Sequence, residues 1–177
     1  YTKKFISKKE LKKVNYSIHQ QIKYLLSNLK LKNKVFVHRD FHASNLMNHK
    51  NQLAIIDSQD AVFGNEAYDL ASLIDDVRFI SNNKLKQKVY DYYIRSKKKP
   101  FNKNNFLNDF EIFSVLRNMK IIGIFTRLAI RDKKREYLNL IPYAWRLIEL
   151  RMRKNKKFEI LKNIFDINFS KKIRNLK

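Results

Sequence analysis

The chain has 177 residues, a formal net charge of +23 and no cysteine. The absence of cysteine excludes a disulfide framework, a thiolate metal site and a cysteine nucleophile. Its length and its 44% content of hydrophobic residues suffice for one sizeable core. We therefore expect a single domain over residues 1–177.

The positive charge is spread along the chain and forms no compact recognition motif. Lys, Asn, Ile, Phe and Tyr are plentiful, whereas Gly, Pro and Trp are scarce, which is the composition that an A/T-rich genome imposes through its codons. We therefore expect no specific nucleic-acid partner. The Lys97–Pro100 run and the Lys171–Lys172 pair are interpreted as a solvated loop and a tail.

No N-terminal stretch resembles a signal peptide. The longest apolar stretch, Met119–Ile130, contains Lys120 and Arg127 and is too short to span a membrane. We expect a cytoplasmic protein with no membrane partner.

Hydrophobic periodicity predicts a mainly α chain with a small β-hairpin. The predicted helices are Lys9–Leu29, Ala67–Ile80, Leu85–Arg95, Asn105–Arg131, Leu138–Met152 and Phe158–Phe165. Of these, Asn105–Arg131 is expected to be a central buried helix, and Pro142 falls in a first turn, where proline is tolerated. Two short apolar runs, Val35–Val37 and Leu53–Ile56, flank a polar turn and are expected to pair as strands.

The stretch VFVHRDFHASNLM at residues 35–47, followed by LAIID at 53–57, carries the chemistry of phosphoryl transfer. In protein kinases the pattern H-R-D-x-x-x-x-N supplies an Asp that accepts the proton of the substrate hydroxyl and an Asn that holds magnesium, and a later Asp also holds magnesium. Asp40, Asn45 and Asp57 provide these groups in the same order. The paired strands should bring Asp57 back beside the other two residues.

The wider sequence resembles the aminoglycoside phosphotransferase and choline kinase superfamily. The resemblance runs from about Val35 to Leu150 and rests on HRDFHASNLM, IIDSQDAVFGNEAYDLASLIDDVR and LRNMKIIGIFTRLAIRDKKREYLNLIPYAWRLIE. Within the superfamily the chain is similar to the bacterial cell-wall amino-sugar kinases, which phosphorylate N-acetylmuramate and N-acetylglucosamine. One departure is Ser58, where that branch more often has an aromatic residue.

The resemblance implies a protein-kinase-like fold and a role for each residue of the motif. Asp40 would orient and deprotonate a sugar hydroxyl, while Asn45 and Asp57 would hold Mg²⁺ against the phosphates of ATP or GTP. His42 stands where many protein kinases have a Lys that contacts the transferred phosphoryl group. A place in the wall of the substrate pocket, or packing within the loop, explains His42 equally well.

Four further residues, in or near this motif, are assigned supporting roles. Gln59 and Asp60 follow the metal-binding Asp and are candidates for contact with metal or substrate, with Asp60 favoured because a second carboxylate can shape a second ion site. His38 is expected to support the loop. Asp69, in a Tyr-Asp-Leu-Ala run, is expected to brace the loop from the following helix.

A kinase of this type also needs an N-terminal lobe with a flexible loop and a lysine that hold the nucleotide. The chain has two glycines, Gly64 and Gly123, so no Gly-rich phosphate loop can be written in it. We therefore expect it to be the C-terminal lobe of a longer kinase, or to work with such a lobe on another polypeptide, and to be inactive alone. Its predicted parts are a leading helix at 1–34, the catalytic loop and metal-binding hairpin at 35–66, and a helical subdomain at 67–177.

Two other interpretations remain open. In a metal-dependent phosphohydrolase, His38, Asp40, His42 and Asp57 would form a metal cluster, but Asn45 would then have no role. In a degenerate, non-catalytic kinase lobe, the chain would act as a basic binding module. The absence of a nucleotide loop favours that interpretation, and the intact motif opposes it.

Overall fold

The computed structural model of the chain describes residues 7–98, 100–153 and 155–175. Its helices are α1 (Lys8–Ser27), α2 (Ala67–Ile74), α3 (Asn83–Ser96), α4 (Lys103–Arg131), α5 (Ile141–Met152), α6 (Glu159–Asn168) and α7 (Lys171–Asn175). Its strands are β1 (Val35–Val37), β2 (Leu46–His49), β3 (Gln52–Ile55) and β4 (Val62–Gly64). The predicted class, mainly α with a small β component, is confirmed. Within these described ranges, no helix combines the length and the apolarity that crossing a membrane requires.

The chain divides into two compact units. Residues 29–114 form the first, which contains all the strands named above. Of the described residues, those at 7–28 and those from 115 onward form the second unit, and α4 contributes to both. The single-domain organisation expected from the sequence stays a prediction.

The core of the first unit lies among α2, α3 and the first part of α4. Its buried members are Ala67, Leu70, Ala71, Ile74, Tyr90, Phe106 and Phe110. Beside them a buried ion pair joins Asp75 to Lys86 at 3.1 Å, and the hydroxyl of Ser114 donates to the other Asp75 oxygen at 2.5 Å. These side chains hold three segments of the unit together through one carboxylate.

Helix α2 ends at Ile74, so the prediction that it continues to Ile80 is wrong. Asp75 leaves the helical conformation at φ −110° and ψ 38°, and its carboxylate takes the buried bonds described above. The ammonium of Lys86 also donates to the carbonyl oxygen of Ile74. A side chain from α3 thus satisfies a carbonyl group that the end of α2 leaves without a partner inside the helix.

The strand pairing also differs from the prediction. Strand β1 pairs antiparallel with β4, and β2 pairs with β3, so Val35–Val37 and the run beginning at Leu53 lie in different sheets. The β2–β3 hairpin turns at Lys50 and Asn51, whose φ angles of 48° and 61° fit a two-residue type I′ turn. Such a turn pairs the two strands directly next to it, here β2 and β3. Strand β1 therefore pairs with β4, which lies further along the chain.

The β1–β4 pair requires a glycine. A Cβ atom added to Gly64 would lie 2.9 Å from Cγ2 of Val37, closer than real Cβ contacts. Gly64 therefore allows β4 to approach β1 directly before the catalytic loop.

In the second unit, α1 contacts α6 and α5 contacts α7. Helix α1 begins with a capping box, in which Glu10 N–H donates to the Ser7 hydroxyl at 3.2 Å and Ser7 N–H donates to the Glu10 carboxylate at 2.8 Å. The hydrogen bonds with Ser7 lower the pKa of Glu10 below its ordinary value. Helix α5 starts at Ile141, after a 3₁₀ segment at Arg135–Leu140, and so begins later than predicted.

Two expectations for this part of the chain are wrong. Beyond Met119, α4 buries only one face, since Ile121, Phe125 and Ala129 are buried while Ile130 is 69% exposed. Lys171 and Lys172 are exposed to solvent as expected, but they belong to α7 and not to a tail. The buried Arg174 anchors this helix to neighbouring acidic side chains.

Candidate active site

The H-R-D loop connects β1 to a 3₁₀ turn at Ala43–Asn45. Its backbone folds tightly, because His42 N–H donates to the Asp40 carbonyl oxygen at 3.0 Å and Asn45 N–H donates to the His42 carbonyl oxygen at 2.9 Å. Strand β2 follows immediately. The loop therefore presents Asp40, half-buried, between β1 and the hairpin.

The side chain of Asn45 connects the loop to Asp57. Its amide nitrogen donates to the Asp40 carbonyl oxygen at 3.0 Å and lies 3.5 Å from Oδ2 of Asp57. The backbone adds a second link, since Ile56 N–H donates to the Asn45 carbonyl oxygen at 3.1 Å. The hairpin thus returns Asp57 to Asn45, although the strands that do so are β2 and β3.

Asp57 is exposed and adopts a left-handed backbone conformation with φ 69°. The side-chain amide of Gln59 donates to its Oδ1 at 2.7 Å. Both carboxylate oxygens therefore lie close to an amide group, Gln59 on one side and Asn45 on the other. This arrangement holds the carboxylate in a fixed direction while it remains open to solvent.

Asp69, on α2, holds the backbone of the loop. Its carboxylate accepts from His38 N–H at 2.7 Å and from Arg39 N–H at 3.0 Å. Arg39 has φ 72°, a conformation that is costly for a residue with a side chain. The two hydrogen bonds that Asp69 accepts, from His38 and from Arg39 itself, offset that cost directly before Asp40.

His38 is buried under the loop. Its Nε2 lies 3.0 Å from the Ile56 carbonyl oxygen, and because a carbonyl only accepts, Nε2 carries the proton in this contact. Its ring also meets Phe41 edge to face, with 6.2 Å between centroids. The His38 side chain thereby ties the loop to the residue before Asp57.

Arg39 is a contributor that the motif alone does not single out. Its guanidinium donates to the carbonyl oxygen of Asp60 at 3.3 Å, which connects the H-R-D loop to the segment after Asp57. A signal for this role is present in the sequence, because Arg39 is the second residue of the H-R-D motif.

The three remaining candidates, His42, Gln59 and Asp60, differ in their exposure and in what they contact. His42 is buried, with 8% of its surface exposed. The Asp60 side chain is exposed, and only the backbone of that residue contacts Arg39. Gln59, not Asp60, reaches Asp57. The functional roles assigned to these three residues stay predictions.

The donor set suits a hard cation with oxygen ligands. The amide nitrogen of Asn45 donates to the Asp40 carbonyl oxygen, so its amide oxygen is the atom that could bind a cation together with the Asp57 carboxylate, and Mg²⁺ prefers such oxygens. Within residues 7–98, 100–153 and 155–175, no group of three or more His, Cys, Asp or Glu side chains is placed to hold a metal ion. The four-residue cluster that the phosphohydrolase interpretation requires is therefore not formed.

An aromatic groove of about 470 Å³ lies beside the loop in the same unit, lined by Phe36, Phe41, Tyr92, Tyr93 and others. Lys97 also lines the groove, where it pairs with Glu66 at 2.7 Å and lies 4.4 Å from the centre of the Tyr93 ring. Partial burial opposes the charge on Lys97, but its hydrogen bonds to Glu66 and Tyr93 raise the pKa of Lys97 above its ordinary value. Burial raises the pKa of Tyr93.

A family model described as "Phosphotransferase enzyme family" matches residues 7–98. Three similar proteins carry the name N-acetylmuramate/N-acetylglucosamine kinase. That of Neisseria meningitidis serogroup B is 38% identical over 131 residues, which cover 70% of this chain and 38% of the relative. That of Pseudomonas aeruginosa is 35% identical over 124 residues (66% and 36%), and that of Caulobacter vibrioides is 33% identical over 116 residues (63% and 32%). The chain spans about a third of the length of the curated relatives it matches.

Proposed function

Because this chain belongs to the phosphotransferase enzyme family, we propose that it is the C-terminal lobe of a kinase that transfers the γ-phosphate of ATP or GTP to a hydroxyl of a small amino sugar. The observation that carries the proposal is the position of Asn45, between the Asp40 carbonyl oxygen at 3.0 Å and the Asp57 carboxylate at 3.5 Å. The names of the relatives support N-acetylmuramate or N-acetylglucosamine as the acceptor. A cytoplasmic location stays a prediction.

In the proposed reaction Asp40 is the general base. Its carboxylate orients the acceptor hydroxyl and accepts its proton as the oxygen attacks phosphorus. The backbone around Asp40 is fixed from two sides, by Asp69 on the preceding residue and by Asn45 on its own carbonyl group. This positioning is what a base needs, since small displacements of a catalytic group lower rates strongly.

Asn45 and Asp57 would hold magnesium, Asn45 through its amide oxygen and Asp57 through its exposed carboxylate. When bound, the ion neutralises charge on the phosphates. Gln59 keeps the Asp57 carboxylate in position through its 2.7 Å hydrogen bond. His42 remains a candidate for contact with the transferred group, and its burial equally suits a residue that packs the loop.

The nucleotide would be held largely by another lobe. The 177 residues contain two glycines, and one of them, Gly64, serves the close approach of β4 to Val37. We propose that a lobe with a flexible loop and a lysine, in the same or another polypeptide, supplies the grip on the phosphates. The volume of the aromatic groove beside Phe41 is in the range of small-molecule sites, and we assign it to the acceptor sugar.

A phosphotransfer assay with two proteins tests the proposal: the 177-residue chain, and the polypeptide encoded by its complete reading frame. N-acetylmuramate, N-acetylglucosamine and glucose serve as acceptors. We expect turnover of an amino sugar by the longer polypeptide and negligible turnover by the 177-residue chain. In the longer polypeptide Asp40→Asn should lose at least a hundredfold in turnover with an unchanged melting temperature. Wild-type turnover in this variant would contradict the proposed mechanism.

A further inference from the structure

A second pocket lies in the other unit of the chain, among the end of α5, α6 and α7. Its volume is about 490 Å³, within the range of small-molecule binding sites. One wall is apolar and includes Ile148, Met152 and Phe165. No residue of the candidate active site lines it, and the phosphotransfer chemistry does not use it.

The charge of this pocket is unusual even for a basic chain. Five of its eleven lining residues are Lys or Arg, about twice the share in the whole chain, where 39 of 177 residues are. Two carboxylates, Glu149 and Asp166, also line it, so the formal net charge is +3. General enrichment in lysine does not explain three arginines at one pocket: Arg146, Arg153 and Arg174.

Both carboxylates are already engaged by one of these arginines. Arg174 donates to Glu149 at 2.6 Å and to Asp166 at 2.7 Å, and its Nε donates to the Phe169 carbonyl oxygen at 2.8 Å. Arg174 is buried, with its guanidinium 5.3 Å from the centre of the Trp145 ring. The acidic side chains are thus held in a fixed ion-pair cluster, and the other cations face the same cavity.

We propose that this pocket binds a small amphiphilic phosphate, that is, a phosphate monoester attached to an apolar group. Arginine and lysine supply the donors and the charge that a phosphate dianion requires. The apolar wall beside them buries the attached group, which a free phosphate ion does not have. The ligand is either a soluble phosphate ester or the headgroup of a lipid that carries a phosphate monoester, since both share this chemistry.

Calorimetric titration of the 177-residue chain with n-octyl phosphate, below its micelle concentration, tests the site. Trp145 is the single tryptophan of the chain and lies against Arg174, so its fluorescence reports on the pocket during the same titration. We expect saturable binding with one molecule per chain. Inorganic phosphate should bind at least tenfold more weakly because it cannot use the apolar wall.

Two matched variants separate the pocket from the general charge of the chain. Lys162 lines the pocket on α6, and Lys23 lies on α1 outside it; both side chains are exposed. Lys162→Glu should weaken octyl phosphate binding at least tenfold, and Lys162→Gln should weaken it less, whereas Lys23→Glu should stay within twofold of wild type. Equal losses in Lys162→Glu and Lys23→Glu would overturn the proposal.

Vesicles with and without phosphatidic acid identify the source of the ligand. Sedimentation of the wild-type chain, but not of Lys162→Glu, with phosphatidic acid vesicles would support the pocket with a lipid headgroup as its ligand. Binding of octyl phosphate without vesicle binding would support it with a soluble ester. The absence of saturable octyl phosphate binding, or equally tight binding of inorganic phosphate, would refute the proposed site.

Discussion

Asp69→Ala should destabilise the first unit of the chain and loosen the catalytic loop. The substitution removes the acceptor of two backbone donors, His38 N–H at 2.7 Å and Arg39 N–H at 3.0 Å. A hydrogen bond to a charged group contributes about 1.5–3 kcal/mol. We apply the full contribution to the hydrogen bond of the buried His38. The contribution at the exposed Arg39 is smaller, because its amide can donate to water instead. We therefore expect a loss of about 2–4 kcal/mol in the free energy of unfolding.

For a chain of this size, about 3 kcal/mol corresponds to a decrease in melting temperature of roughly 6–12 °C. Urea unfolding gives the free energy, and amide hydrogen exchange followed by NMR reports on residues 38 and 39 directly. Asp91→Ala is the matched control, because that carboxylate accepts an exposed side-chain bond from Gln87 at 2.9 Å. The reasoning would be refuted if Asp69→Ala matched this control in stability and kept its protection at His38 and Arg39.

Three further substitutions separate metal binding from structural support. Asp57→Asn should weaken Mn²⁺ binding, measured by electron paramagnetic resonance, at least tenfold, while Asp60→Asn should change it less than threefold; the reverse order would exchange their roles. His38→Gln should mainly lower the melting temperature of the full-length enzyme and leave most of its turnover. A variant with native stability and no activity would assign His38 to the chemistry. Asp109→Ala removes a fully buried acceptor of two backbone amides and two side-chain amides. It should cost about 3–5 kcal/mol in urea unfolding, whereas the control substitution Asp132→Ala, at an exposed surface ion pair, should cost much less. Equal effects of the two substitutions would contradict this.

The helices are accessible from sequence because their signals are local. Helix α1 is observed at Lys8–Ser27 against a prediction of Lys9–Leu29, since apolar residues at intervals of three and four mark its buried side directly. The sequence also predicts that Asn45 and Asp57 lie close together, and their side chains approach to 3.5 Å, although the hairpin that joins them is β2–β3 and not the expected pairing of Val35–Val37 with Leu53–Ile56. Both inferences depend on residues close to one another in the chain.

The features that sequence analysis missed depend on distant partners. Asp109 looks like any polar residue of a long helix, yet it accepts from the backbone of Lys30 and Leu31, nearly 80 residues earlier. The end of α2 depends on an ion pair with Lys86 on the next helix. Strand β1 pairs with β4 because the Lys50–Asn51 turn pairs β3 with β2, so that β3 is not available to β1. No local pattern contains that information.

The left-handed residues have a consequence for the heat tolerance of the chain. Among the described residues, positive φ angles occur at Arg39, Lys50, Asn51, Asp57 and Lys133, and at neither glycine. A left-handed conformation costs most residues roughly 1–2 kcal/mol relative to glycine. Lys50 and Lys133 are exposed, and Lys133 follows the end of α4, where glycine is the usual residue. Replacing either lysine by glycine would therefore remove the backbone strain without removing a side chain that the catalytic loop uses. At Arg39 and Asp57 the same replacement would also remove a side chain of the candidate active site. We accordingly expect Lys50→Gly and Lys133→Gly to raise the melting temperature of the chain without changing the catalytic loop or the core.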